Sequence, residues 1–236
     1  SSFMQRALDQ LIHDVCLQNL HLVLAMDRGG FVGPDGPTHH GLFDFAFLRT
    51  VPNLTVMAPK DENELQHMLK TAVECSGPVS LRYPRGKGVG VPMDERLCAM
   101  AVGKGEILRD PPDAAAAIIA IGNCCHPALA AAAVLQDEGL PVRVINARFV
   151  KPLDAELLCA AARECGRIVT VEETALMGGF GSAVLELLAE RGITGVAVRR
   201  LGIPDEFAPQ ATQKELRRLY GIDAEGIASA VREMRF

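Results

Sequence analysis

Between residues 115 and 200 short apolar runs alternate with segments of helical period, and few architectures accept that pattern. The runs at 115–121, 142–145, 168–171 and 196–200 read as strands, and 128–136, 155–163 and 183–191 read as helices. Strands this apolar must be covered on both faces, so the alternation specifies a mostly parallel sheet flanked by helices. A related pattern lies upstream. There 22–26, 54–58 and 79–83 read as strands, and 61–74 reads as a helix with acidic residues in its first turn. Met4, Leu8, Leu11 and Val15 recur at helical spacing beside Phe3, Ala7 and Ile12, behind a candidate cap at Ser1 or Ser2. Gly86, Gly88, Gly90 and Pro92, followed by Asp94-Glu95-Arg96, interrupt the alternation and read as a linker reaching Met100. The expected fold class is therefore α/β, in two modules of mostly parallel sheet, residues 1–100 and 101–236.

Composition narrows the function classes. The 236 residues are 49% hydrophobic, enough for real cores, and the formal net charge is −5 without a basic run, which argues against a nucleic-acid partner. No apolar stretch approaches the roughly 20 residues needed to span a bilayer, so no membrane association is expected. Seven cysteines occur without a C-x-x-C pair, and they read as reduced packing thiols of a cytoplasmic or plastid-like compartment. A chain that opens Ser1-Ser2-Phe3 reads as part of a longer polypeptide.

The segment 27–41, DRGGFVGPDGPTHHG, carries the chemistry. Its glycines and prolines disfavour helix and strand, and it follows a strand that would deliver it to the carboxyl edge of the sheet, where ligands bind in open α/β folds. Histidine titrates near neutrality and arginine presents a planar donor fork suited to phosphate, so an anionic substrate handled by proton transfer is the natural reading. Taken alone, the Asp35–His39 pair reads equally well as a turn-stabilising hydrogen bond. As bare residues, Arg82 and Arg85 read as surface charges at a strand end more readily than as ligands. Adjacent His39 and His40 point apart in an extended loop, which disfavours a shared metal.

Longer stretches carry a resemblance. The run from Asp27 through DENEL, with Phe43-Asp44 and Leu48-Arg49 inside it, then RYPRG at 82–86, RFVKPLD at 148–154, VEE at 171–173 and GGFGS at 178–182, resembles the 1-deoxy-D-xylulose-5-phosphate synthase family. The downstream module resembles the transketolase C-terminal domain, including Gly202 to Pro204, Phe207 and Pro209-Gln210. The resemblance covers essentially the whole chain. It implies a homodimeric, thiamine diphosphate- and Mg²⁺-dependent transferase that joins pyruvate, with decarboxylation, to D-glyceraldehyde 3-phosphate in isoprenoid and thiamine biosynthesis.

Carried over by motif, Phe3 matches the aromatic residue against the cofactor's pyrimidine, with Arg6 one turn further on. Arg28 and Arg85 match the arginines of the triose phosphate site, and Asp35 and His39 match the polar pair at the reacting carbonyl. Asp35 is also positioned to fix the tautomer of His39, which is preferred over His40. Gly29, Phe47 and Ala211 depart from the family's usual alanine, tyrosine and glycine. The Gly-Asp-Gly motif for metal and diphosphate, and the glutamate that protonates the pyrimidine, are missing from this stretch, which implies an amino-terminal part elsewhere. A transketolase, a dehydrogenase β subunit and a non-catalytic assembly subunit are the competing readings. GGFGS reads as a tight strand-to-helix connection rather than a phosphate cradle. Glu172 and Glu173 read as solvated or dimer-contact carboxylates rather than catalytic ones.

Overall fold

A computed structural model describes residues 1–234. Two sheets organise it. In the first, β1 (Val23–Met26), β2 (Thr55–Met57) and β3 (Val79–Arg82) run parallel in the order β1-β3-β2. The second has the order β4-β6-β5-β8-β9, from β4 (Glu106–Arg109), β5 (Ala116–Ala120), β6 (Val142–Asn146), β8 (Arg167–Ala175) and β9 (Ala197–Ile203). Only edge strand β4 in that sheet is antiparallel. Both sheets are mostly parallel, as the alternation demands.

The strand β5 shows why. Ala116, Ile118 and Ala120 pack toward α4 (Cys125–Asp137) and α8 (Ala224–Arg232), whereas Ala117, Ile119 and Ile121 face the core that includes α5 (Ala155–Cys165) and α6 (Phe180–Glu190). Alternating side chains thus bury both faces. Helix starts are set by side-chain acceptors: Asp61 takes the Glu64 N–H at 2.8 Å to open α3 (Glu62–Glu74), and Asp154 takes the Leu157 N–H at 3.2 Å to open α5. Helix α4 begins earlier than the sequence suggests because Pro127 sits in its first turn, where the missing N–H has no intrahelical partner to lose.

Two expectations change. The amino-terminal helix is not regular: 3₁₀ turns over Ser2–Ala7 lead into a short α1 (Leu8–Gln10) and then π-type turns over Leu11–Cys16. Ser1 does not cap it. Its hydroxyl instead donates to Asp44 at 2.8 Å, at the start of α2 (Asp44–Leu48). Beyond the linker, β7 (Phe149–Lys151) leaves the second sheet and pairs antiparallel with β2 at the edge of the first. One hydrophobic core accordingly combines Leu11, Phe45, Leu48 and Val56 with Ile119, Ile145, Leu158 and Val184. The two sheets share their interior.

At the end of β3, Arg82 is 2% exposed and is no surface charge. Its Nε donates to Asp44 at 2.9 Å, one Nη donates to the carbonyls of Gly41 and Glu173, and the guanidinium lies 4.6 Å from the Phe45 ring centroid. Gly29 makes room for it, since a Cβ there would fall 2.3 Å from Arg82 Nε. Breaking a buried pair strands the remaining charge, so Arg82→Ala should cost about 3–5 kcal/mol in urea denaturation. Asp44→Ala should cost far less in that background than in the wild type.

Candidate functional site

The loop 27–43 leaves β1 and closes on itself through reciprocal Gly30–Gly41 backbone hydrogen bonds of 2.8 and 2.9 Å, and the Gly29 N–H donates to the Tyr83 carbonyl at 3.0 Å. Gly30 needs its missing side chain twice over: its φ is +81°, and a Cβ would meet Glu173 Oε1 at 2.5 Å. The second module then grips the loop from outside. The Ala175 N–H donates to the Leu42 carbonyl at 2.8 Å, Gln213 reaches the carbonyls of Phe31 and Arg85, and Gln210 reaches that of Pro34.

Glu173 is the centre of that grip. One oxygen accepts the Phe31 N–H at 2.7 Å, and the other accepts from Asn123 Nδ2 and Arg217 Nε, each at 2.8 Å. It is 1% exposed, so neither a solvated nor a surface role fits. Glu172, on the opposite face of β8, is fully buried and accepts from Thr174 Oγ1 and from the backbone N–H groups of Phe180 and Gly181 at 2.7 and 2.8 Å. The GGFGS turn therefore serves an internal carboxylate, which takes up two of the free N–H groups at the start of α6.

Side chains singled out in the sequence meet at the loop in two contacts, Arg85 with Asp35 and Phe3 with His39, while Arg28 pairs with Asp27. Arg85 forms an ion pair with Asp35 and donates to the Val32 carbonyl at 3.1 Å. That hydrogen bond holds the Asp35 carboxyl below the usual carboxylate range, and the charges of Arg85, His39 and Arg28 act in the same direction. Phe3 sits edge-on to the His39 ring, with centroids 5.4 Å apart, and is 60% exposed. Arg28, at φ +56°, turns its guanidinium to Asp27 at 2.8 Å. Arg6 is exposed on the same helical run as Phe3.

One expected contact is replaced. Asp35 is committed to Arg85 and does not orient His39; the Thr38 hydroxyl lies 2.9 Å from His39 Nδ1 instead. His40 is a scaffold residue. Its Nδ1 accepts the Val32 N–H and its Nε2 faces the Pro209 carbonyl, both at 3.1 Å, so the proton resides on Nε2. Among the described residues no group of three or more His, Cys, Asp or Glu side chains is arranged to hold a metal ion, and no helix is long and apolar enough to cross a membrane.

Comparison with known proteins adds to this geometry. The model of the transketolase pyrimidine-binding domain matches residues 1–89, and that of the transketolase C-terminal domain matches residues 103–227. The chain is 62% identical over 234 residues to 1-deoxy-D-xylulose-5-phosphate synthase of Syntrophus aciditrophicus, covering 99% of this chain and 36% of that protein. It is also 62% identical over 230 residues to 1-deoxy-D-xylulose-5-phosphate synthase 1 of Geobacter sulfurreducens, with 98% and 36% covered. A solved structure described as a split gene transketolase, inactive β4 tetramer, superposes with a TM-score of 0.86 at 32% identity, covering 98% of this chain and 73% of that one. The chain thus spans little more than a third of the length of these curated relatives.

Burial dominates at Glu172 and raises its carboxyl from 4.5 to about 7 despite three donors. A folded pKa above the unfolded one means that the native state binds the proton more tightly, so this contribution to stability is complete below pH 4.5 and is lost as pH rises toward 7. Glu172→Gln should lower stability by about 1–3 kcal/mol through mismatched donors, yet flatten its pH slope in that window. Denaturant midpoints taken across the window read both effects.

Proposed function

Because the chain belongs to the transketolase family, we propose that it is the carboxyl-terminal part of a 1-deoxy-D-xylulose-5-phosphate synthase. In that reading it helps condense pyruvate, with loss of CO₂, onto D-glyceraldehyde 3-phosphate. The observation that carries the reading is the Arg85–Asp35 ion pair on the same loop as His39 and Arg28, with an exposed aromatic face at Phe3 against the His39 ring. Relatives bearing that synthase name at 62% identity support it.

An exposed phenyl ring beside an imidazole suits a flat heteroaromatic partner, which fits the pyrimidine of thiamine diphosphate against Phe3, with Arg6 nearby. Phe3 and Arg6 would flank the bound cofactor, which would supply a carbon nucleophile and an electron sink for decarboxylation. The described residues offer no cluster to hold Mg²⁺, so no step is assigned to the metal on this chain.

What this chain's side chains do follows from their charge. A triose phosphate carries two negative charges near neutrality, and Arg28 and Arg85 supply a donor fork each, worth about 1.5–3 kcal/mol per charge-assisted bond. Asp35 holds Arg85 ready until the phosphate takes part of its hydrogen bonding. As the aldehyde oxygen gains charge, His39 donates a hydrogen bond or proton to it, and Thr38 steadies the ring through Nδ1. Arg28, Arg85 and Phe3 all lie open to solvent, which suits a site whose other wall belongs to an amino-terminal part and to a homodimer. A cytoplasmic enzyme agrees with the free cysteines.

A non-catalytic assembly role is the second reading, favoured by the resemblance to a chain described as an inactive tetramer. A transketolase or a dehydrogenase β subunit would use other donors. In the complete enzyme, Arg85→Ala should raise the KM for glyceraldehyde 3-phosphate at least about tenfold more than that for pyruvate. Equal effects on both substrates would count against the phosphate anchor. His39→Ala should depress kcat by about 100-fold with little change in either KM, in steady-state carboligation assays. Turnover at the normal rate would remove the imidazole from the mechanism.

A further inference from the structure

A cleft of about 490 Å³ opens where the carboxyl edges of the two sheets meet, and of the residues given a part in the proposed condensation only Arg85 borders it. Its walls are the turns after β2 and β3, the start of α4, and α7 (Gln213–Leu219). That volume is ordinary for a small-molecule site, and the carboxyl edge of parallel strands is where such sites form.

The cleft's charge is uneven. Lys60, Arg85, Lys87 and Arg217 line it against Asp61 and Glu62. Both acids already serve the backbone: Asp61 caps α3, and Glu62 accepts the N–H groups of Val89, Gly90 and Val91, which fixes that wall in place. Lys60 is paired with Glu64 and Glu106 and Arg85 with Asp35, which leaves Arg217 and Lys87 as the less spent donors. Of the Arg217 guanidinium only Nε is engaged among the described residues, and Lys87 has no partner among them. His126 Nε2 is buried without a hydrogen-bond partner among them, 3.8 Å from Asp61. Leu65, Val89 and Pro127 supply an apolar side.

We propose that this cleft binds a small phosphorylated molecule with an apolar body, its phosphate facing Arg217 and Lys87 and its body lying against Leu65, Val89 and Pro127. A dianionic head needs more than one cationic donor, and the guanidinium fork and the lysine provide them. The neighbouring apolar wall separates this ligand from bare phosphate.

Phenyl phosphate, which carries both features, is the probe, titrated calorimetrically into the full chain beside inorganic phosphate. The expected result is saturable binding at one site per chain, tighter for phenyl phosphate. Lys87→Glu and Val89→Asp, both on exposed side chains, should each weaken it at least about tenfold, whereas Arg28→Ala should leave it unchanged. Circular dichroism confirms that the variants are folded. Loss of binding in Arg28→Ala with none in Lys87→Glu would place the probe in the 27–43 loop and overturn the proposal. So would the absence of saturable binding, or equal affinities for phenyl and inorganic phosphate.

Discussion

Glu173 joins what the chain order separates. Its carboxylate, buried on β8 of the second sheet, holds the Phe31 N–H of the loop that follows β1, and the same group is neutralised by Arg217 and satisfied by Asn123. A buried carboxylate without such partners would be expensive, so the loop's backbone is itself part of the solution to burying that charge. Loop, helix α7 and strand β8 are thereby bound into one arrangement. The 27–43 segment, poor in regular structure, can present a defined set of side chains only because the second module holds its backbone.

The rest of the interior reinforces this dependence. Arg82 ties β3 to α2 through Asp44 and to the loop through Gly41, and it ends on the carbonyl of Glu173 itself. β7 crosses into the first sheet, and apolar side chains from both halves share one core. Polar contacts that converge like this are costly to leave half-made, which favours a single geometry for the side chains facing solvent. Asp35 and Arg85 lie exposed at the rim, on a backbone held from within.

Much of this was legible in the residues. Period-two burial in β5 and the acidic first turn of α3 follow from local pattern, and glycine and proline marked the loop. The T-x-x-E box that opens α7, Thr212 with Glu215, is a local helix-start signal of the same kind. Other features had no local signature. β7 is three residues long and its partner strand lies far upstream, so its sheet change is a tertiary fact. Adjacent glutamates at a strand end look solvated in sequence, yet alternation sends Glu172 to the start of α6 and Glu173 to the loop. The pairing of Asp35 with Arg85 rather than His39 likewise depends on where β3 ends.

Native-state hydrogen exchange in Glu173→Gln tests this dependence most directly. If Glu173 positions the loop, the Phe31 amide should exchange at least about tenfold faster, with the Gly30 and Gly41 amides following it, while amides in the middle of α4 keep their protection. Unchanged exchange at Phe31, or equal loss of protection in α4, would contradict the account.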